Sequence, residues 1–450
     1  MLKKYALFMI LIIAAFIVGC SEKEKVIQID VTDYDINIGF SSPREMVISA
    51  VVSCTIQGDA SQEGDASKEG DASQMEFLLN PAVGIHAIFI KNNDEWSELS
   101  YDREDAAVLL SIPDSVASTD RVLRFDYVYP LEEPLGRFFY IDRGNRWYPL
   151  IIDDVANVRI NATVLPGFSM FSCGDLVNVT QNETRSTYEW ATKIPVFKIP
   201  FVLLTTDMYA EISAPCNDNE ITFYVLNENP ETDPMILGEA CAMFGYCESL
   251  IGAYPHKKLT FIETDIFQGM SFIASGLVLI SSDFMEQFRQ RHTQGLHLPI
   301  VMQWFGSGVF ATFQDDGFWF FSLSLPHYLR LMAVQRFEGN ESFIRGMEVP
   351  YDMYLVYADT EDDVPVLDVD MLDSPAKGYS ITGKGPRIFD HVRKEMGDKD
   401  WQSFLRDLYE KFLGKTITYK EFMEVLSHFA DPKLVKEFDN MTHARGALSL

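Results

Sequence analysis

The stretch Leu296-His297-Leu298-Pro299-Ile300-Val301-Met302-Gln303-Trp304-Phe305-Gly306 decides how this chain is read. It opens the most apolar part of the sequence beyond the first twenty residues, a run that continues to Leu331. Residues Leu298–Phe313 carry no charge, and neither do Gly317–Leu329, but Asp315 and Asp316 separate them. Each run falls short of the ~18 apolar residues expected of a membrane span. The expectation is therefore a set of helices buried in a protein core.

Toward the C-terminus the pattern stays helical. Ile388, Val392 and Met396 recur at a four-residue spacing, with Gly397 as a stop and Asp398 as the N-cap of the next helix. Trp401, Phe404, Leu405, Leu408 and Phe412 then share one helical face, and Thr418-Tyr419-Lys420-Glu421 has the form of a capping box. Toward the N-terminus the period changes. Residues 34–40 alternate apolar and polar, as do Leu123, Phe125, Tyr127 and Tyr129, which marks half-buried strands. Ile221–Leu226 and Leu259–Ile262 are also strand-like. The fold class expected is α+β: an antiparallel β-sandwich-like domain over 27–213, then a mostly helical domain over 214–450, with the boundary near Ala214. Residues 57–74 carry the repeat Gly-Asp-Ala-Ser and are expected to be a solvated loop between strands near Val47–Ile56 and Met75–Leu79.

Composition sets limits on partners. The 450 residues include 66 acidic and 37 basic side chains, a formal net charge of −29, which argues against nucleic acid as a partner. Residues 1–19 read as a secretory signal: Lys3 and Lys4, an uncharged apolar run, and a small residue before the cut. The ending Ile17-Val18-Gly19-Cys20 resembles a bacterial lipobox. That resemblance implies lipidation of Cys20, a tether over 20–26, attachment to the cell envelope and, in a Gram-negative cell, to the outer membrane. Cys54, Cys173, Cys216, Cys241 and Cys247 remain, an odd number whose pairing the sequence leaves open, as it does the oligomeric state.

Gln303-Trp304-Phe305-Gly306 resembles the zinc aminopeptidases typified by membrane alanyl aminopeptidase, in which H-E-x-x-H is followed directly by Q-W-F-G. The frame extends without a gap. Asp315-Asp316 and Phe318-Trp319-Phe320-Phe321-Ser322 fall where the family has N-D and W-L-N-E-G. Gly252-Ala253-Tyr254-Pro255 with Lys258-Leu259 is similar to the family's G-x-Y-P-x-x-K-L, and Gly276-Leu277 to its G-L strand. Lys384-Gly385 is similar to its Y-x-K-G helix, and Trp147-Tyr148-Pro149 to a W-Y-P segment of its β domain. The resemblance covers roughly residues 27–445. It implies a β domain followed by a thermolysin-like peptidase domain, without the C-terminal helical-repeat domain of many members.

The same frame implies a site stripped of its chemistry. A catalytic zinc takes three protein ligands with nitrogen, oxygen or thiolate donors plus a water, and the glutamate of H-E-x-x-H serves as base. The ligand positions fall on Leu298, Met302 and Phe321, and the base position on Pro299. The amine-binding glutamate of the family's G-x-M-E-N loop falls on Ile273, and the tyrosine of Y-x-K-G on Thr382. None supplies a carboxylate or an imidazole, and a thioether is a poor zinc ligand. Large apolar side chains are expected to fill the vacated space, and the helix is expected to begin near Leu298, since Pro299 suits a first turn. His292, His297 and His327 lie nearby without metal-ligand spacing, and the acidic run Asp359–Asp373 reads as a solvated loop rather than a calcium site. The reading that results is an exported, membrane-tethered, aminopeptidase-like lipoprotein with no metal cofactor. It would be a pseudo-enzyme holding a peptide or an envelope protein in a cleft between its domains. The rival readings are a hydrolase with a non-standard site and a structural envelope protein.

Overall fold

The computed structural model describes residues 28–56, 74–112, 120–266, 271–290, 294–313, 316–371 and 375–448. Cys20 and the leader, nearly all of the Gly-Asp-Ala-Ser repeat, His292 and Asp315 lie outside those residues. The chain divides into two compact units, Met1–Tyr209 and Ala210–Leu450. The division falls a few residues before the expected Ala214. The strand Ala210–Cys216 pairs antiparallel with Asn219–Val225 and so belongs to the second unit's sheet.

The first unit is built on an eight-stranded sheet. Its order is Asp175–Gln181, Ser186–Ala191, Asn157–Val164, Ile29–Ser42, Glu45–Ile56, Asp120–Pro130, Gly84–Asn92 and Glu95–Glu98. The alternation over residues 34–40 buries Tyr34, Ile36, Ile38 and Phe40 on one face, and Leu123 to Tyr129 do the same in their strand. One expectation needs correcting. Ile29–Ser42 and Asn157–Val164 run parallel, with Ile36 opposite Ile160, so the sheet is mixed rather than antiparallel. Period-2 burial is the same for both pairings, so sequence periodicity does not separate them. Two three-stranded sheets complete the unit. Trp147 is fully buried and its indole donates to the Ile199 carbonyl at 2.9 Å, while Tyr148 meets Tyr34 edge to face at 5.3 Å.

The second unit starts with a five-stranded sheet in the order Ala210–Cys216, Asn219–Val225, Lys258–Thr264, Leu277–Ser281 and Ser271–Ala274. The helix Asp233–Leu250 crosses between the first parallel pair, and a disulfide joins Cys216 to Cys241 on that helix. Cys54, Cys173 and Cys247 are buried thiols. The rest is helical, and among the described residues no helix is long and apolar enough to cross a membrane. Thr418 and Glu421 form the expected reciprocal capping box, and Trp401, Phe404, Leu405, Leu408 and Phe412 are all buried. Asp398 is not an N-cap. Gly397, at φ 82°, ends one helix and begins the next, and Asp398 is the first helical residue, its carboxylate 2.7 Å from the Arg393 guanidinium.

Candidate functional site

Leu298 lies in the helix Gln294–Val301, with Pro299 inside it and Met302 just past its end. The expected start near Leu298 is thus corrected: the helix begins four residues earlier. Pro299 has no N–H for the Gly295 carbonyl, which makes an interior proline costly, and burial of Leu296, Ile300 and Val301 offsets that cost. The regular helix nevertheless stops two residues after the proline. Met302 N still reaches Leu298 O at 2.9 Å, but Gln303 N and Trp304 N turn to Ile300 O and Val301 O, each at 3.0 Å, in a tighter i→i−3 pattern. Leu298 and Met302 are half-buried, one turn apart.

Phe321 lies in a π-helical turn, Phe320–Ser324, and is buried. Its ring centroid is 4.8 Å from Phe422, 5.3 Å from Phe320 and 6.2 Å from Tyr419. With Phe305, Leu325, Leu408 and Phe422 it lines a cavity of only about 10 Å³. A space that small and apolar does not hold water. Thr382 lies in a second π-helical turn, Ser380–Lys384, and its hydroxyl donates back to the Gly378 carbonyl at 2.9 Å. The two turns are joined by Ser324 Oγ, which donates to Ile381 O at 2.7 Å. Gly385 is required there, because a Cβ would collide with Ser324 Oγ. Ile273 is buried in the edge strand Ser271–Ala274. Ile273 and Phe321 belong to one contiguous hydrophobic core, against which Met302 packs.

These side chains do not fit zinc. An isobutyl group, a thioether and a phenyl ring offer nothing that a catalytic zinc site uses. Among the described residues no three His, Cys, Asp or Glu side chains come close enough together to hold a metal ion. His297 is buried beside Phe337, at 6.2 Å between ring centroids, and among the described residues neither of its nitrogens has a hydrogen-bond partner. Burial, with a smaller contribution from Arg330, pushes its pKa down to about 4, and the same two causes push His327 down to about 3. Both rings are therefore neutral at pH 7. The acidic run is not wholly solvated, which corrects another expectation. Asp363 is 3% exposed and accepts from Asp359 N, Gly446 N and the Tyr354 hydroxyl.

Sequence reasoning missed what Gln303 does. Its carbonyl oxygen accepts from Gly276 N at 3.0 Å and from the Tyr254 hydroxyl at 3.2 Å, and its amide donates to Ala274 O at 3.1 Å. Trp304 donates to Gly252 O at 2.9 Å and packs on Tyr254, ring to ring at 5.4 Å. Three segments far apart in sequence meet here: Gln303-Trp304, Gly252-Ala253-Tyr254 and Ala274–Gly276. Each belongs to a motif quoted above, and their convergence is the signal that spacing alone did not reveal. Lys384 is also fully buried; its ammonium donates to Ala444 O at 2.6 Å, and burial lowers its pKa.

No family model matches the chain, and no curated protein matches it in sequence. Solved structures do match its fold. An M1 zinc metallopeptidase from Deinococcus radiodurans aligns with a TM-score of 0.72 at 14% identity, over 94% of this chain and 95% of that one. A mutant of it bound to a Tyr-Ser-Ala substrate aligns with a TM-score of 0.70 at 14% identity, over 94% and 96%. Native yeast LTA4 hydrolase aligns with a TM-score of 0.71 at 10% identity, over 97% of this chain and 71% of that one. The α+β architecture, a sheet-rich domain followed by a mostly helical one, is that of the two-domain M1 aminopeptidases. At this identity the likeness concerns the fold.

Proposed function

We propose that this chain is a non-catalytic member of the aminopeptidase fold, an exported lipoprotein tethered through Cys20 that holds a peptide or an envelope protein instead of cleaving one. The observation that carries this reading is the donor set. On the frame of the family resemblance Leu298, Met302 and Phe321 fall at the zinc-ligand positions and Pro299 at the base position, and Phe321 is packed into an aromatic cluster. Without a cation, nothing polarises a peptide carbonyl or lowers the pKa of a water. Function follows from the site and not from the fold. The Cys216–Cys241 disulfide supports export, because such bonds persist in oxidising compartments.

The test is metal content. Residues 21–450 are purified without the anchor, offered excess zinc, freed of unbound metal and assayed by elemental analysis and against aminopeptidase substrates. The expected result is no stoichiometric zinc and no hydrolysis. One tightly bound zinc per chain with turnover would overturn the reading.

A further inference from the structure

The last described residues, 444–448, lie against the helix Asn340–Leu355, the loop that follows it and the π-helical turn at Lys384. They are held through their main chain. Lys384 Nζ donates to Ala444 O at 2.6 Å, and Gly446 N donates to the Asp363 carboxylate. The Tyr354 hydroxyl, with one proton to share, lies 2.7 Å from Gly446 O and 3.0 Å from Asp363 Oδ1. Leu448 N donates to the Tyr351 hydroxyl at 2.8 Å. All four side chains are nearly or fully buried: Lys384 at 0%, Tyr354 at 1%, Asp363 at 3% and Tyr351 at 7% exposed. Arg445 adds a bond outward to Thr360 O at 3.0 Å, and the Leu448 side chain packs on the core.

This is how a protein holds a peptide: alternating carbonyls and amides satisfied by fixed side chains, with one or two positions reading identity. The identity position is Gly446. Its φ is +77°, and a Cβ there would lie 2.6 Å from Asp359 Oδ1. A side chain is disfavoured by that backbone conformation and would also have to displace the Asp359 carboxylate.

We propose that Tyr351, Tyr354, Asp363 and Lys384 form a peptide-recognition groove which residues 444–448 occupy in cis. In trans it takes an extended peptide with glycine at the central position and an apolar residue two places later. Exchange is favoured over simple opening. Removing the tail takes the Ala444 carbonyl from the Lys384 ammonium and the Gly446 amide from the Asp363 carboxylate, and a replacing peptide restores both bonds. The covalent link gives the tail an effective concentration on the order of mM, so a free peptide competes poorly until the tail is dislodged. The groove supplies a site for the peptide binding proposed above. It does not depend on the metal reading, and bound zinc would refute that reading while leaving this one standing.

The experiment uses residues 21–450, with a fluorescein-labelled synthetic peptide of residues 441–450 as the probe. In the Gly446→Val variant, hydrogen exchange of residues 444–448 should rise at least about tenfold, and the peptide should bind at least about tenfold more tightly than it binds wild type. A peptide with alanine in place of its glycine should lose that gain, as should a Lys384→Met change in the variant. A tail that stays protected in Gly446→Val, or a released tail with no peptide uptake, overturns the proposal. Should the variant fail to fold, wild type is measured with the peptide at about 1 mM. Faster exchange of its own tail supports the groove, and unchanged exchange overturns it.

Discussion

His297 should make this protein lose stability as the pH falls below about 6.5. The ring is 1% exposed, its two nitrogens have no partner among the described residues, and its pKa is lowered to about 4 from 6.5. The sign follows from which state binds the proton. Above pH 6.5 the ring is neutral folded and unfolded, and stability is unaffected. As pH falls from 6.5 toward 4, the unfolded chain takes up a proton that the folded chain refuses, so stability is lost across that window. Between pH 7.5 and pH 5.0 the loss is about 2 kcal/mol for this one residue. His327, with its pKa lowered to about 3, works in the same direction. Arg330 repels both protonated rings, and Glu338 is the acidic group that acts on Arg330. The assay is urea unfolding of residues 21–450 at pH 7.5, 6.0 and 5.0, wild type against His297→Phe. Phe places a ring of similar size beside Phe337 and removes the titration. The variant should recover about 2 kcal/mol at pH 5.0 relative to pH 7.5, compared with wild type over the same interval. Identical pH dependence in the two proteins would show that the ring is solvated or partnered in solution and would refute the reasoning.

Four further outcomes are expected. Gln303→Leu removes the acceptor of Gly276 N and of the Tyr254 hydroxyl and the donor to Ala274 O, and should cost roughly 2–5 kcal/mol by denaturant unfolding; a cost under ~1 kcal/mol would remove Gln303 from the scaffold. Phe321→Ala should cost about 3–5 kcal/mol in the same assay if its ring is core, and far less if the position faces an open cleft. Pro299→Ala returns a main-chain N–H within reach of Gly295 O and should stabilise by about 1–3 kcal/mol, read as a rise in the urea midpoint. Replacing Cys216 and Cys241 by serine reopens a loop of sequence separation 25 and should cost up to about 3.5 kcal/mol, and wild type under reductant should lose a similar amount.

Much of the fold was legible because its determinants are local. Alternation over residues 34–40 and 123–129 and the Thr418–Glu421 capping box are each visible within a dozen residues. Strand direction was not, since the parallel pair of Ile29–Ser42 with Asn157–Val164 leaves the burial period unchanged. Pro299 misled because a local rule met a tertiary term: the flanking Leu296, Ile300 and Val301 gain enough from burial to keep a helix around it. Asp363 misled in the same way. An acidic run reads as solvent-facing, yet two of the three partners of this carboxylate, the Tyr354 hydroxyl and Gly446 N, come from outside the run.

The candidate site shows which family-like positions a polypeptide holds without help. Gln303, Trp304 and Gly385 are each fixed by atoms of this same chain: the Gly276 amide, the Gly252 carbonyl and the close approach of Ser324. Changing them would orphan a buried partner or force two backbones apart, so their cost falls on folding itself. A zinc ligand is different, because its partner is the ion. With no ion, a carboxylate at 321 would be a buried polar group without a partner, and an imidazole at the half-buried 298 or 302 would lose part of its hydration with nothing in return. His297, one residue before the first ligand position, displays that penalty in its depressed pKa. Leu298, Met302 and Phe321 avoid it, and Phe321 adds aromatic contacts with Phe422 and Phe320. On the proposed reading, apolar side chains at the ligand positions and an intact polar scaffold beneath them follow from one physical cause. A buried polar group costs stability wherever nothing in the structure pairs with it.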